Sequence, residues 1–302
     1  MKKFVFELAW REYFYNIWES RLDDIFSDFR SIDEPTTEWI SQSLLEGQTG
    51  LQAIDEQISL LTNNGYMHNH ARMWVASLVC NVTNTCWKSG AKWFFYHLLD
   101  GDLASNTLSW QWVSGRFNGR RYRFNQQNIN KYSASPQYGT FVDVTYPQLP
   151  DITIPEHFRT AVPVDFSSQL PSQTTIEPND ATQVLVYHPW MLNPKWREEH
   201  IGRRILLMEP RFFKQFPMSP KRIEFICELA KNINNIEIHW ADFSALKKAY
   251  PDAQLHSVYH PSVEHWEVKF DPMPKMFPTV KGFYKSFFQF WNRCVKIKKE
   301  YR

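Results

Sequence analysis

Along this 302-residue chain the spacing of hydrophobic and polar positions changes character near its middle. Between residues 3 and 26, Phe4, Leu8, Trp10, Tyr13, Phe14, Ile17 and Trp18 recur close to the helical period, with Glu7, Arg11 and Glu12 among them. That pattern predicts an amphipathic helix bearing a polar stripe. Pro35, Thr36 and Thr37 read as a loop and cap before a helix from Trp39 to Leu45. Glu46-Gly47-Gln48-Thr49-Gly50 is a turn, Leu51 to Asn63 is helical, and Asn64-Gly65 breaks the chain. Two longer helices are predicted over about 67–82 and 88–99, with Asp100 to Asn106 at the C-terminal end of the second. The first half reads as all-α.

Seven prolines (Pro136, Pro147, Pro150, Pro155, Pro163, Pro171 and Pro178) fall between residues 136 and 180, where helical periodicity is weak. An extended connector laid over the helical domain follows. Beyond it, Val184–Tyr187, Ile205–Met208, Ile236–Trp240 and Leu255–Tyr259 are short aliphatic runs, and Ser219 to Ile233 is a capped helix between two of them. Strands alternating with helix predict a small α/β unit with a parallel sheet. The expected domains are therefore 1–145, a connector over 146–180, and 181–302. In the tail, Phe283, Phe287 and Trp291 stand at i, i+4 and i+8, and Lys296, Lys298, Lys299 and Arg302 add charge. Such a stripe is expected to dock on the protein's own core rather than on a membrane.

With 43% hydrophobic residues the chain can fill a sizeable core, and 16% aromatic residues suit either dense packing or the stacking of planar ligands. A net charge of +2 excludes a polycation, so any nucleic-acid contact must be local. Arg116, Arg120, Arg121 and Arg123 alternate with Phe117, Tyr122 and Phe124, a pattern open to a phosphate-backbone contact or a solvated loop. Cys80, Cys86, Cys227 and Cys294 lack metal-site spacing and suggest no disulfide framework. Glu7, Arg11 and Glu12 interrupt the apolar start, and no uncharged window has the ~18 residues of a membrane helix. A protein in the reducing cytoplasm is expected, without metal or membrane.

Candidate chemistry concentrates between Tyr66 and Trp112. Arg72 lies among Met67, Met73, Val75 and Leu78, while Asp100 and Asp102 follow the apolar run Trp93, Phe94, Phe95, Leu98 and Leu99. Charges in such company need partners, either a buried polar ligand or one another.

Five pieces occur in series here: Glu7-Leu-Ala-Trp10-Arg11-Glu12-Tyr-Phe, Glu46-Gly-Gln-Thr-Gly50, Met67-His-Asn69-His-Ala-Arg72-Met73, Asp100-Gly-Asp102-Leu-Ala-Ser-Asn106, and Trp110-Gln-Trp112. In their order and spacing, residues 1 to about 145 resemble the latter part of the FAD-binding domain of the DNA photolyase and cryptochrome family. The expected fold is mainly α, a photolyase-like FAD-binding helical domain followed by a small α/β domain. By this resemblance Arg11, Asn69, Arg72, Asp100, Asp102 and Asn106 hold FAD, with Asn106 facing the flavin N5 and Arg11 near its phosphate or ribose end. An arginine and carboxylates suit the polar edge of an isoalloxazine and tune its charge. Trp110 and Trp87 match the proximal and middle members of a tryptophan electron-transfer chain, and core packing is the other role open to them. Glu7, Trp10, Asn69, Met73 and Trp112 match residues that meet a flipped-out pyrimidine dimer, with Glu7 grouped with the catalytic residues.

The resemblance implies a blue-light-dependent enzyme that repairs cyclobutane pyrimidine dimers in damaged DNA. A cryptochrome-like photoreceptor, or a non-catalytic or split half, is the alternative. His68 and His70 are not expected to act as a metal or acid–base pair, and His70 stands where an arginine is usual. The place of the distal tryptophan, near Glu34, is not Trp, and Trp39 is a nearby substitute. The family's N-terminal antenna domain and FAD-phosphate loop have no counterpart ahead of Trp10, so a partner chain supplying them is a further expectation. The C-terminal α/β domain reads as a displaced antenna domain or an unrelated interaction module.

Overall fold

The computed structural model describes residues 2–297; Lys298, Lys299 and Arg302, expected to charge the C-terminal helix, lie outside the described residues. The chain forms two compact units, one of Arg21–Phe166 and one of Met1–Ser20 with Ser167–Arg302. These boundaries differ from the expected domains: the first helix groups with the C-terminal residues, and residues 146–166 group with the helical unit.

Helix α1 spans Lys2–Arg21. The helical unit that follows holds β1 (Ile40–Ser41), α2 (Gln42–Leu45), α3 (Gln52–Asn64), α4 (Asn69–Ser77), α5 (Trp87–His97), α6 (Leu103–Ser114), α7 (Gln126–Tyr132) and β2 (Ala161–Val162). Where a helix was expected from Trp39, β1 instead pairs antiparallel with β2 in the proline-rich segment, Ile40 opposite Val162. The segment is tied down further: Ser43 Oγ donates to the His157 carbonyl at 2.8 Å, and Phe166 stacks on Tyr96 at 4.4 Å. Prolines that cannot build helix thus supply extended backbone to cover one.

Helix α4 also differs from its expected span. Its last turns widen over Leu78–Val82, where Thr83 N–H donates to the Leu78 carbonyl five residues back. Asp100 to Asn106, expected to end the preceding helix, instead opens α6, because the Asp102 carboxylate accepts the Ser105 N–H at 2.8 Å and caps an orphan donor. Between α5 and α6 the backbones approach closely at Gly90. A Cβ there would lie 2.2 Å from the Trp110 ring. The ring, 2% exposed, also meets Phe94 edge-on at 5.0 Å. Trp87 stands one turn before Gly90 on α5 and shares the same buried core.

In the second unit, β3 (Gln183–Tyr187), β4 (Arg203–Leu207), β5 (Ile236–His239), β6 (Gln254–Val258) and β7 (Lys269–Asp271) form a parallel sheet in the order β5-β4-β3-β6-β7. Helices α8 (Pro210–Gln215), α9 (Pro220–Ala230), α10 (Phe243–Ala249) and α11 (Phe287–Ile297) complete it. The expected strands are all present, and β7, flanked by charges, is an addition. Strand order reverses between β3 and β6, the place where open parallel sheets take ligands outside their C-terminal ends. Here that place is filled with rings. Trp190 stacks on His260 at 5.5 Å, and Tyr15 and Trp18 of α1 meet His260 edge-on at 5.6 and 5.3 Å.

Beside them His188 is 1% exposed, and its Nε2–H donates to the Val258 carbonyl at 3.0 Å. Nδ1 is therefore an unprotonated acceptor, without a hydrogen-bond partner among the described residues. Burial lowers the His188 pKa to about 4. The ring is neutral in the fold, while in the unfolded chain it takes a proton below about pH 6.5. Stability from this group is thus complete above pH 6.5, falls as pH drops towards 4, and falls no further below that. The expected loss is about 3 kcal/mol, measurable as unfolding free energy in urea at pH 7.5 against pH 4.5. His188→Gln is expected to lessen that dependence, leaving the part due to the neighbouring buried His260, whose pKa burial also lowers; an equally steep one in the variant would assign it elsewhere.

Candidate functional site

The predicted site residues divide between the units. In the helical unit, α4 begins at Asn69, which is exposed in its first turn, and His68 caps it by accepting the His70 N–H. One turn on, Arg72 donates from Nε to the Met67 carbonyl at 2.9 Å and from Nη2 to both Asp100 oxygens at 3.0 Å. This bidentate pair fastens the start of α4 to the α5–α6 loop. Of the two readings of Arg72, the internal ion pair is present. The pair is not sealed, for the Arg72 side chain is 25% exposed and that of Asp100 62%. Its contribution to stability is accordingly about 0.5 kcal/mol, which leaves both groups available to a ligand. Asp102 is buried as the cap of α6, and Asn106, in the first turn of α6, donates from its side chain to the Ala91 carbonyl at 2.8 Å.

Trp110 and Trp87 are both 2% exposed. Met73 and Trp112 are half-buried against the same core, Trp112 beside Tyr122 at 5.7 Å. His70 stacks between His68 and Tyr132, and no cluster of metal-ligating side chains occurs among the described residues.

In the other unit, α1 carries Glu7 and Arg11 on its exposed face, Arg11 with its guanidinium 5.2 Å from the Tyr15 ring centroid. Trp10 is half-buried. Phe287 of α11 stacks on its ring at 3.8 Å and 8°. The amphipathic tail therefore docks internally, with Phe287, Phe290 and Cys294 buried.

The basic stretch needs correction. Arg116 is buried and donates from Nε to Asp28 at 2.6 Å and from Nη2 to the Asp33 carbonyl at 3.1 Å; Arg121 pairs with the Asp33 carboxylate. Two of the four arginines are thus bound to the chain's own loop. Sequence spacing missed this because Asp28 and Arg116 stand 88 residues apart. The same carboxylate accepts the Trp87 indole N–H at 2.7 Å.

Residues 4–169 match the family model described as the FAD binding domain of DNA photolyase. The chain belongs to this photolyase family. Among curated relatives, a deoxyribodipyrimidine photo-lyase of Streptomyces griseus is 37% identical over 117 residues, which cover 37% of this chain and 25% of that protein. A cryptochrome DASH of Gloeobacter violaceus is 37% identical over 125 residues, covering 40% and 25%. The chain thus spans about a quarter of the length of the curated relatives it matches. Among solved structures, an archaeal photolyase from Sulfolobus tokodaii, described with two FAD molecules, is 26% identical with a TM-score of 0.38, covering 43% of this chain and 32% of that one.

The family's cofactor is FAD. The donor set of the helical unit fits it. A partly exposed guanidinium, two carboxylates and a carboxamide lie around the first turns of α4 and α6, the donor and acceptor types that suit a flavin's polar edge. No helix among the described residues is long and apolar enough to cross a membrane.

Proposed function

We propose that this photolyase-family chain is a blue-light-dependent FAD protein that repairs cyclobutane pyrimidine dimers in DNA with an electron from reduced flavin. The observation that carries the reading is the half-exposed Arg72–Asp100 pair, with Asp102 and Asn106 following within one loop and one helical turn. When bound, FAD supplies light absorption and one-electron transfer. Arg72, Asp100 and Asp102 would hold its polar edge, and Asn106 would serve the N5 side that the resemblance assigns to it. Trp110 and Trp87 return electrons through the core. In the helical unit Asn69 hydrogen-bonds the lesion's polar edge, and Met73 and Trp112 pack against its bases; Glu7 and Trp10, on α1, are assigned to the lesion by the resemblance alone.

One observation favours a second reading, a cryptochrome-like photoreceptor: the Trp10 face that would stack on a base is covered by Phe287. FAD titration in the dark, then blue light, then assay on dimer-containing DNA separates the two. The expected result is stoichiometric FAD, photoreduction lost in Trp110→Phe, and dimer release lost in Glu7→Gln and Trp10→Ala with FAD retained. Photoreduction without dimer release by the unmodified chain would establish the photoreceptor instead. Absence of FAD binding at excess cofactor would overturn both.

A further inference from the structure

We infer that Asp28 is the proton acceptor of oxidised Trp87, and so the group that traps an electron hole at that position. The inference rests on the electron-transfer reading of Trp87 and Trp110 just given, and concerns a residue that the resemblance does not assign.

Three observations carry it. Trp87 is almost completely buried, and its one N–H bond donates to Asp28 Oδ1 at 2.7 Å. The other oxygen, Oδ2, is held by Arg116 Nε at 2.6 Å, and Arg116 is itself fixed to the Asp33 carbonyl. The carboxylate is thus clamped with one oxygen on the indole. Third, the Asp28 side chain is 37% exposed whereas that of Arg116 is 8% exposed, so the carboxylate has one end in the core and access to water. It forms a way out for a proton from a ring that water does not reach.

The chemistry follows. An indole that loses an electron becomes a strong N–H acid, and a carboxylate in hydrogen-bond contact is a base in the required place. Oxidised Trp110 accepts one electron from Trp87 and returns to its neutral form. The Nε1–H bond of the Trp87 radical cation then breaks, its proton passes to Asp28 Oδ1, and a neutral indolyl radical and a carboxylic acid remain. One electron and one proton have moved, and charge balances. Back-transfer now requires the proton to return as well, so the hole stays on Trp87. Arg116 keeps the carboxylate oriented through its bond to Oδ2.

The test needs no flavin. Laser photoionisation of tryptophan in the purified chain forms indole radical cations directly, and visible transient absorption distinguishes them from neutral radicals. Subtracting the trace of Trp87→Phe isolates the Trp87 component. In the unmodified chain that component is expected to deprotonate at a rate independent of buffer concentration and slowed in D2O. In Asp28→Asn, which keeps an acceptor oxygen but not the base, deprotonation is expected to slow on the order of a hundredfold.

Asp28→Asn also leaves Arg116 without its anion, so the double variant Asp28→Asn/Arg116→Met, which removes both charges, is measured beside it with the same expectation. A Trp87 component that deprotonates equally fast in both variants, or at a rate set by buffer, would overturn the inference. A merely structural Asp28 would shift the melting temperature and leave the cation lifetime unchanged. Because FAD takes no part, failure here is separate from failure of the chain to bind or photoreduce flavin.

Discussion

Gly90→Ala is expected to destabilise the helical unit by about 3 kcal/mol, among the larger effects available to a single added methyl group. The new Cβ would lie 2.2 Å from one carbon of the Trp110 ring and 2.3 Å from the next, closer than carbon atoms approach. Surface side chains relieve such clashes by rotating. Trp110 has no such freedom, being 2% exposed and packed edge-on against Phe94. Either α5 and α6 separate, or the Trp110 indole leaves its site, and both open space elsewhere in a close-packed interior. For a unit of this size the melting temperature should fall on the order of 10 °C. Calorimetry checks this, and a shift under about 2 °C would mean that the helices separate without penalty. A Trp110 displaced in this way should also photoreduce FAD more slowly, so the variant joins packing to the proposed function.

Glu209→Ala is expected to have the largest effect in the α/β unit, about 4 kcal/mol. Glu209 follows β4 and is 6% exposed. Its carboxylate accepts the Trp266 indole N–H at 2.8 Å, the Phe243 N–H at 3.0 Å and His265 Nε2 at 3.0 Å. Burial by itself would raise its pKa, but these bonds outweigh it and hold the group below the usual carboxylate range. Alanine leaves a buried indole N–H and a buried backbone N–H without an acceptor, and each such orphan costs about 1–3 kcal/mol. Glu209→Gln keeps one acceptor oxygen but turns an amide NH2 towards donors, and about half the loss is expected. Urea unfolding of both variants, with hydrogen exchange of the β4 and β5 amides, measures the difference. An unchanged midpoint in Glu209→Ala would show that water replaces the carboxylate.

What the sequence revealed depended on how local each determinant was. Strands β3 and β6 were legible because strands buried on both faces of a parallel sheet are continuous apolar runs, Val184 to Tyr187 and Leu255 onwards. Strand β7 was not, since Lys269 and Asp271 flank its one apolar residue at the edge of the sheet. The sequence leaves Asp102 trailing one helix when it caps the next, because an aspartate beside glycine suits either role until the N–H it accepts is seen. In the candidate site, the need of Arg72 for a carboxylate was visible from its apolar neighbours. Asp28 was not visible, for nothing near it in sequence indicates an indole 59 residues away or a guanidinium 88 residues away. Phe287 was legible as part of a buried stripe, but its position on Trp10 was a matter of tertiary packing alone.

Glu12 of α1 accepts backbone N–H bonds from Met276 at 2.6 Å and Phe277 at 3.0 Å, residues 264 and 265 positions downstream. On the ribosome this sets an order of events. Helix α1, made before the helical unit, finds its Met276 and Phe277 partners only after that unit has been made. At ordinary elongation rates Glu12 waits roughly 15 to 50 s for its partners. Arg21–Phe166, a compact unit of its own, emerges complete in the meantime. A nascent chain stalled before residue 276 should therefore carry a finished helical unit while Glu12 of the aromatic helix α1 still lacks the two amides it accepts, the form in which chaperones would meet this protein.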